Sequence, residues 1–426
     1  MNNPSPPSVC FYFQVHQPYR LRDMRITDIG RGKPNYFDCE KNEEIFRKVA
    51  RKCYLPANKL MKELLMSYPD FSVSYSLSGI FIEQCKKYGT DVLESFVELA
   101  KTGKAEFLAE TYYHSLSSLK SIEEFCEQVS LHAEEINNIF GQTPKVFRNT
   151  ELIYSNELAQ IARLMGFKGI LAEGADSILK GRSPNNPFAV PEFTMPKQIT
   201  RIIETKRPLS KEADDITVLL KNYKLSDDVA FRFSDKSWIG FPLTAETFTD
   251  WLMEGGGRNV NLFMDYETFG EHQWEDTGIF EFLRSLPAVW KSLGISALTP
   301  SEVIEKWKEE RDVFDSHSVI SWADTERDLS AWQENLIQRS SLDDLYSLES
   351  AIKETGNGEL IELWRLLQIS DHFYYMCTKY FSDGDVHKYF NPYESPYEAY
   401  RRYSHALHDI KERLNSFRPS QCQDNL

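Results

Sequence analysis

The feature that most limits how this chain folds is an alternation of two patterns. Short apolar runs recur, each ending in polar or charged residues: 8 to 18 (SVCFYFQVHQP), 71 to 78 (FSVSYSLS), 105 to 115 (AEFLAETYYHS), 145 to 152 (KVFRNTEL), 168 to 175 (KGILAEGA), 229 to 235 (VAFRFSD) and 260 to 267 (VNLFMDYE). Between most of them lie helical patterns such as DVLESFVELAKTGK and SNELAQIARLMGF, the second opening on a cap at Ser155 and closing at Gly166. Strands that alternate with helices pair in parallel through crossover helices. Seven such runs with polar C-terminal ends predict a closed or nearly closed barrel with its active site at that end, an open doubly wound sheet being the alternative. A further run, 294 to 307 (GISALTPSEVIEKW), reads as a strand followed by a capped helix and is a candidate to complete the ring.

The stretch 176 to 228 is longer and irregular, with GRSPNNPFAVPEF inside it, and reads as an insertion over the site. After about residue 320 strands disappear and apolar residues keep helical spacing. The expected organisation is a catalytic α/β domain over 1–315 and a C-terminal helical bundle over 316–426 that contributes to the cleft, with a tail, RPSQCQDNL, that frays.

The net charge of −15 opposes a nucleic-acid partner, which needs clustered Lys and Arg. No stretch approaches the roughly 18 apolar residues of a membrane span, and the N-terminus lacks a basic region before its apolar run, so no membrane association and a cytoplasmic location are expected. The seven cysteines, Cys10, Cys39, Cys53, Cys85, Cys126, Cys377 and Cys422, form an odd set without a CxxC pair, which predicts free thiols rather than a disulfide framework or a zinc site. Aromatic residues make up 13% of the chain, a surplus that suits either a ring-binding cleft or a large aromatic core.

Set side by side, the run ends carry His16 and Gln17, Glu106 and Glu110, His114, Asn149 and Glu151, Glu173, Arg232 and Asp235, and Asp265 with Glu267. There is no nucleophilic serine beside a His-Asp arrangement and no glycine loop to cradle phosphate. The surplus is carboxylic, which is what cleavage of a glycosidic bond needs: a protonated acid for the leaving oxygen and an ionised carboxylate as nucleophile or base.

Five stretches, VHQPYRL, GKAEFLAE, FRNTEL, FMDYETFGEH and SWADTERDLSAW, resemble in order the five sequence regions of glycoside hydrolase family 57, a retaining α-glucan-active family. Length and the FRNTEL and SDHFYYM wording resemble its shorter α-amylase-type members. The resemblance implies a (β/α)7 barrel, an incomplete TIM-like barrel, followed by a helical domain. It places the nucleophile on Glu151 and the general acid/base on Asp265. It also implies that His16 beside Gln17 bonds the reacting sugar, that Glu106 is a structural or substrate-bonding acid, and that Trp322 and Asp324 come from the fifth region, the indole stacking on a sugar face. Glu267 and His272 are expected to orient the acid and bind sugar hydroxyls. Asn149 and Thr150 are placed to hydrogen-bond Glu151, while Phe263, Tyr266 and Phe269 are expected to desolvate Asp265 and raise its pKa. Arg232 and Asp235 are expected to form an ion pair beneath the site, and Trp332, Asp371 and His372 to pack in the bundle.

The substrate expected on these grounds is an α-1,4-glucan, as oligosaccharide or polysaccharide, with no cofactor and no metal. Transglycosylation by a 4-α-glucanotransferase or branching-type enzyme is the near alternative, separated from hydrolysis only by what intercepts the intermediate. A metal-dependent deacetylase or mannosidase, using His16, His114 and Asp265, and a non-catalytic glucan-binding protein are the more distant ones. Oligomeric state is not legible in the sequence.

Overall fold

The computed structural model describes residues 5–209, 211–309, 311–381 and 384–417, so Cys422 and the tail expected to fray lie outside it. Among the described residues, seven strands run parallel: β1 (Ser8–Val15), β2 (Val73–Leu77), β3 (Ala105–Phe107), β4 (Val146–Arg148), β5 (Gly169–Glu173), β6 (Thr217–Lys221) and β7 (Asn259–Asp265). Their order is β3-β2-β1-β7-β6-β5-β4. The two ends meet just past β3, where Ala109 donates to the Val146 carbonyl at 3.0 Å and accepts from the Arg148 N–H at 2.8 Å. The sheet is thus a closed (β/α)7 barrel rather than an open one.

Period-two alternation sorts each strand's side chains between its two faces. On β1, Val9, Phe11, Phe13 and Val15 join the outer core with helix residues such as Phe46, Leu60 and Phe81, whereas Cys10 and Tyr12 turn into the barrel. Because both faces are covered, strands such as β1 and β5 read as near-continuous apolar runs. The crossover helices start on side-chain caps that satisfy free N–H groups: Ser78 for Gly79–Tyr88, Ser155 for Asn156–Leu164, and Thr299 in a capping box with Glu302 for Pro300–Lys306.

Two expected strand positions are corrected. Residues 229 to 235 hold no strand; Asp228–Arg232 is a wide helical turn, with Val229, Ala230 and Phe233 buried at spacings that suit a helix. The strand that fills this place in the ring is β6, inside the stretch assigned to an irregular insertion. Residues 294 to 307 add no eighth strand: Ala297 makes single bridges to Val9 and Phe71, and the helix Pro300–Lys306 follows. Arg232 therefore leaves the strand-end set, and it pairs with Asp228 at 2.7 Å rather than with Asp235, which bonds Ser237.

The chain divides into two compact units, one of residues 1–17, 43–112 and 122–322, the other of 18–42, 113–121 and 323–426. The second unit is helical. Its helices include Ser330–Gln333, Leu336–Tyr346, Gly358–Leu366, Ser370–Tyr374 and Pro396–Phe417. Trp332, Trp364 and Tyr403 are buried in it, and the polar atoms of the last two reach backbone carbonyls, Trp364 Nε1 that of Leu345 at 2.9 Å and Tyr403 Oη that of Leu367 at 3.1 Å.

Candidate active site

The barrel interior is layered. An apolar layer of Tyr12, Leu108, Val146, Leu171, Leu219 and Phe263 fills its middle. Two residues further along each strand, on the same inward face, stand Gln14, Glu110, Arg148, Glu173, Lys221 and Asp265, joined by Ser76 from β2. All seven strand paths thus deliver a polar or charged side chain to the C-terminal end. Glu110 accepts from Ser76 Oγ at 2.8 Å and from Gln14 Nε2 at 3.1 Å, and lies 3.8 Å from Arg148. Lys221 lies 3.8 Å from Glu173 and donates to Asp227 at 3.0 Å.

Glu151 sits three residues past Arg148 of this layer, in the turn Thr150–Leu152 that follows β4, and has a strained backbone. Its φ is 59° and that of Leu152 is 50°, both in the left-handed region that β-carbon-bearing residues avoid. Such strain costs of order 1–3 kcal/mol per residue and persists only where surrounding contacts over-determine it. Here a bridge does so. Tyr154 and Ile320 exchange backbone hydrogen bonds at 2.9 and 3.1 Å, and the Trp322 N–H donates to the Glu151 carbonyl at 3.1 Å. The side chains lock as well: Trp322 Nε1 donates to Glu151 Oε2 at 2.8 Å. The indole thus bonds the carboxylate through its edge, while Asn149 donates to the Ile153 carbonyl at 3.1 Å and Thr150 bonds Thr111 at 2.7 Å.

Asp265 ends β7, in register with Gln14 and half-buried, and stands directly before the turn Tyr266–Thr268 without capping it through its side chain. Of the three rings expected around it, Phe263 faces the barrel interior but Tyr266 and Phe269 belong to the outer core, so alternation takes them away from the carboxylate. Gly270 in the following loop has φ +113°, and a Cβ there would overlap the Lys52 carbonyl, so the path back toward helix Ile279–Leu293 needs glycine.

Glu267 is buried and accepts from Tyr54 Oη, which also accepts from Gln17 Nε2 at 3.2 Å. Burial, reinforced by the Asp265 charge, pushes the Glu267 pKa up to about 8. Burial pushes His272 down to about 4, which favours a neutral imidazole near neutral pH; its backbone N–H donates to the Glu267 carbonyl at 2.9 Å. His16 Nδ1 meets Ser78 Oγ at 2.8 Å, the same hydroxyl that caps the following helix.

Glu106 is not brought to this group. It faces inward four residues before Glu110, roughly 13 Å lower at about 3.3 Å per residue, and its carboxylate accepts from the Ser301 N–H at 3.0 Å and from its hydroxyl, in the first turn of helix Pro300–Lys306. Its place is a helix cap at the opposite end of the barrel. Asp324 lies in the second unit with φ 53°, its carboxylate engaged by Lys379 Nζ at 3.0 Å and His387 Nε2 at 3.1 Å. Gln14, Ser76, Arg148 and Lys221 were absent from the sequence reading. The signal for two of them was present: Gln14 stands two places beyond Tyr12 and Arg148 two places beyond Val146, each on an apolar run.

A family model described as "Glycosyl hydrolase family 57" matches residues 10–314. The chain belongs to this family. It is similar to a protein of Methanocaldococcus jannaschii provisionally named an alpha-amylase, 42% identical over 415 residues, which are 95% of this chain and 84% of the relative. Among solved structures it superposes on the family 57 branching enzyme of Pyrococcus horikoshii with a TM-score of 0.65, at 15% identity and 97% coverage of both chains. It also superposes on an α-amylase of Thermotoga maritima with a TM-score of 0.57, at 13% identity, covering 97% of this chain and 96% of that one. At these identities the superpositions speak for the fold. Like its family, the chain is a glycoside hydrolase.

The Glu267 shift has a consequence for stability. The folded state holds this proton up to about pH 8, whereas the unfolded chain releases it near 4.5. The contribution is fully present below the unfolded value and lost as pH rises through the folded one. Glu267→Gln, which keeps the shape without the charge, should therefore gain on the wild type as pH rises from 5 toward 8, by a few degrees of melting temperature. Thermal unfolding across this range checks it, and a pH-independent difference between the two proteins would refute the assignment.

Proposed function

We propose that this family 57 chain is an α-amylase-type hydrolase that cleaves α-1,4-glucosidic bonds of starch, glycogen or maltodextrins with retention. The observation that carries the reading is the backbone of Glu151, held left-handed and clamped through both its carbonyl and its carboxylate by Trp322. A strained acid at the end of a barrel strand, beside a ring of inward polar groups, has the character of a reacting group rather than of a surface acid.

In the first step Glu151 attacks C1 of the sugar while Asp265 gives its proton to the departing glycosidic oxygen, leaving a glucosyl ester on Glu151. Asp265, now ionised, takes a proton from water, and the water oxygen attacks C1 and displaces the Glu151 carboxylate. Two displacements at C1 restore the α configuration. Glu267, protonated near neutral pH, sits beside Asp265 without adding a second negative charge.

Product analysis on maltooligosaccharides tests the reading: shortened, α-configured products without elongated ones are expected, and elongated or branched products would instead assign a transferase. Both proton transfers and the nucleophile come from carboxylic acids, so prolonged chelation should leave turnover unchanged. Loss on chelation with recovery on added zinc would favour metal-dependent chemistry.

A further inference from the structure

Arg148 stands out among charged side chains because it is fully buried and none of its three guanidinium nitrogens has a hydrogen-bond partner among the described residues. A buried cation without such partners is unfavourable compared with an apolar residue of similar volume. Two contacts account for its position. The Glu110 carboxylate lies 3.8 Å from Nη1, too far for a hydrogen bond but close enough for charge attraction, and the Trp322 ring centroid lies 5.1 Å from Cζ.

The second contact joins Arg148 to the chemistry. The ring it faces is the one whose Nε1–H donates to Glu151 Oε2 at 2.8 Å. A planar guanidinium over an indole face restricts the tilt of the ring, and a cation there draws π density from it and makes its N–H a stronger donor. Lys221 adds a second cation, 5.4 Å from the same ring, but its ammonium is already bonded to Asp227. We propose that Arg148 is a positioning residue for the nucleophile: it does not touch the sugar, but by holding Trp322 it sets the direction and strength of the hydrogen bond that aims Glu151. This rests on the reading of Glu151 as nucleophile.

The relay acts on both chemical steps. Before attack, the indole N–H restrains the carboxylate in one rotamer; when the ester is cleaved, it stabilises the returning negative charge. A positioning role of this kind predicts loss in kcat with little change in KM.

The test is a cycle of Arg148→Lys and Trp322→Phe in the full chain. Lysine keeps a positive charge beside Glu110 but loses the planar stacking group, so the buried carboxylate is not left uncompensated. Arg148→Lys is expected to lower kcat about tenfold with KM within about twofold, and in the Trp322→Phe background to lower it by no more than about twofold further. Losses that multiply, or a wild-type kcat in Arg148→Lys, would overturn the proposal. A second readout needs no turnover: in protein labelled with nitrogen-15 tryptophan, the Trp322 indole proton, identified by its absence in Trp322→Phe, should move upfield in Arg148→Lys. If that variant does not fold, Arg148→Met with Glu110→Gln removes both charges together and should give the same movement. An unmoved resonance rejects the relay, whereas a moved resonance in a protein whose Glu151→Gln variant keeps full activity rejects only the nucleophile assignment.

Discussion

Glu151→Ala is expected to lose turnover on every α-glucoside, on the order of 10⁴-fold or more, because without the carboxylate no glucosyl ester forms whatever the leaving group. Fold should survive. Alanine deletes the acceptor of the Trp322 indole, but the bridge between Tyr154 and Ile320 and the Trp322 N–H bond to the residue 151 carbonyl are backbone contacts and remain. Circular dichroism and thermal unfolding separate loss of chemistry from loss of structure. Substantial activity on nitrophenyl glucosides in a folded variant would remove Glu151 from the nucleophile's role.

Asp265→Ala should behave selectively. On natural glucans, whose leaving oxygen needs a proton, the loss should be about 10²- to 10⁴-fold. A nitrophenolate departs without one, so the first step proceeds and the ester accumulates for want of a base. Azide needs no deprotonation: it attacks C1 of the ester, the C1–O bond to Glu151 breaks, and the glucosyl azide released has the substrate's α configuration. In Glu151→Ala the same ion attacks the substrate directly and yields the β azide. Product stereochemistry by NMR reads the roles directly, and α product from Glu151→Ala with β from Asp265→Ala would mean that the two carboxylates are assigned the wrong way round.

Where sequence reading succeeded, it did so because one local signal was enough. Six of the seven barrel strands lie on apolar runs identified from the sequence, to within one residue, and the ends of two of them, around Glu151 and Asp265, carry stretches that resemble family 57. It failed at β6 for a local reason too. Thr217–Lys221 is five residues long, buried on both faces and set in irregular surroundings, so it shows no alternation, whereas VAFRFSD alternates but has its buried residues Val229, Ala230 and Phe233 on one side of a helical turn. Over so few residues the two periods are indistinguishable, and the apolar excess decided wrongly.

By itself the sequence determined the class of chemistry and the two acids to propose for it, because residue types and their order along the chain are sequence properties. It also determined inward and outward alternation along each identified strand, since that follows from backbone geometry alone. Tertiary structure decided the rest of the site. Ring closure at Ala109 set the seven strands in register, so that Gln14, Ser76, Glu110, Arg148, Glu173, Lys221 and Asp265 make one layer while Glu106, on the same face, caps a helix at the other end. It brought Trp322 to Glu151 across 171 residues of chain, and it placed residues 18–42 and 113–121 with the helical unit rather than with the barrel. Periodicity reports whether a side chain is buried but not against which atoms, and a hydrogen bond between distant residues exists only once the chain between them has closed.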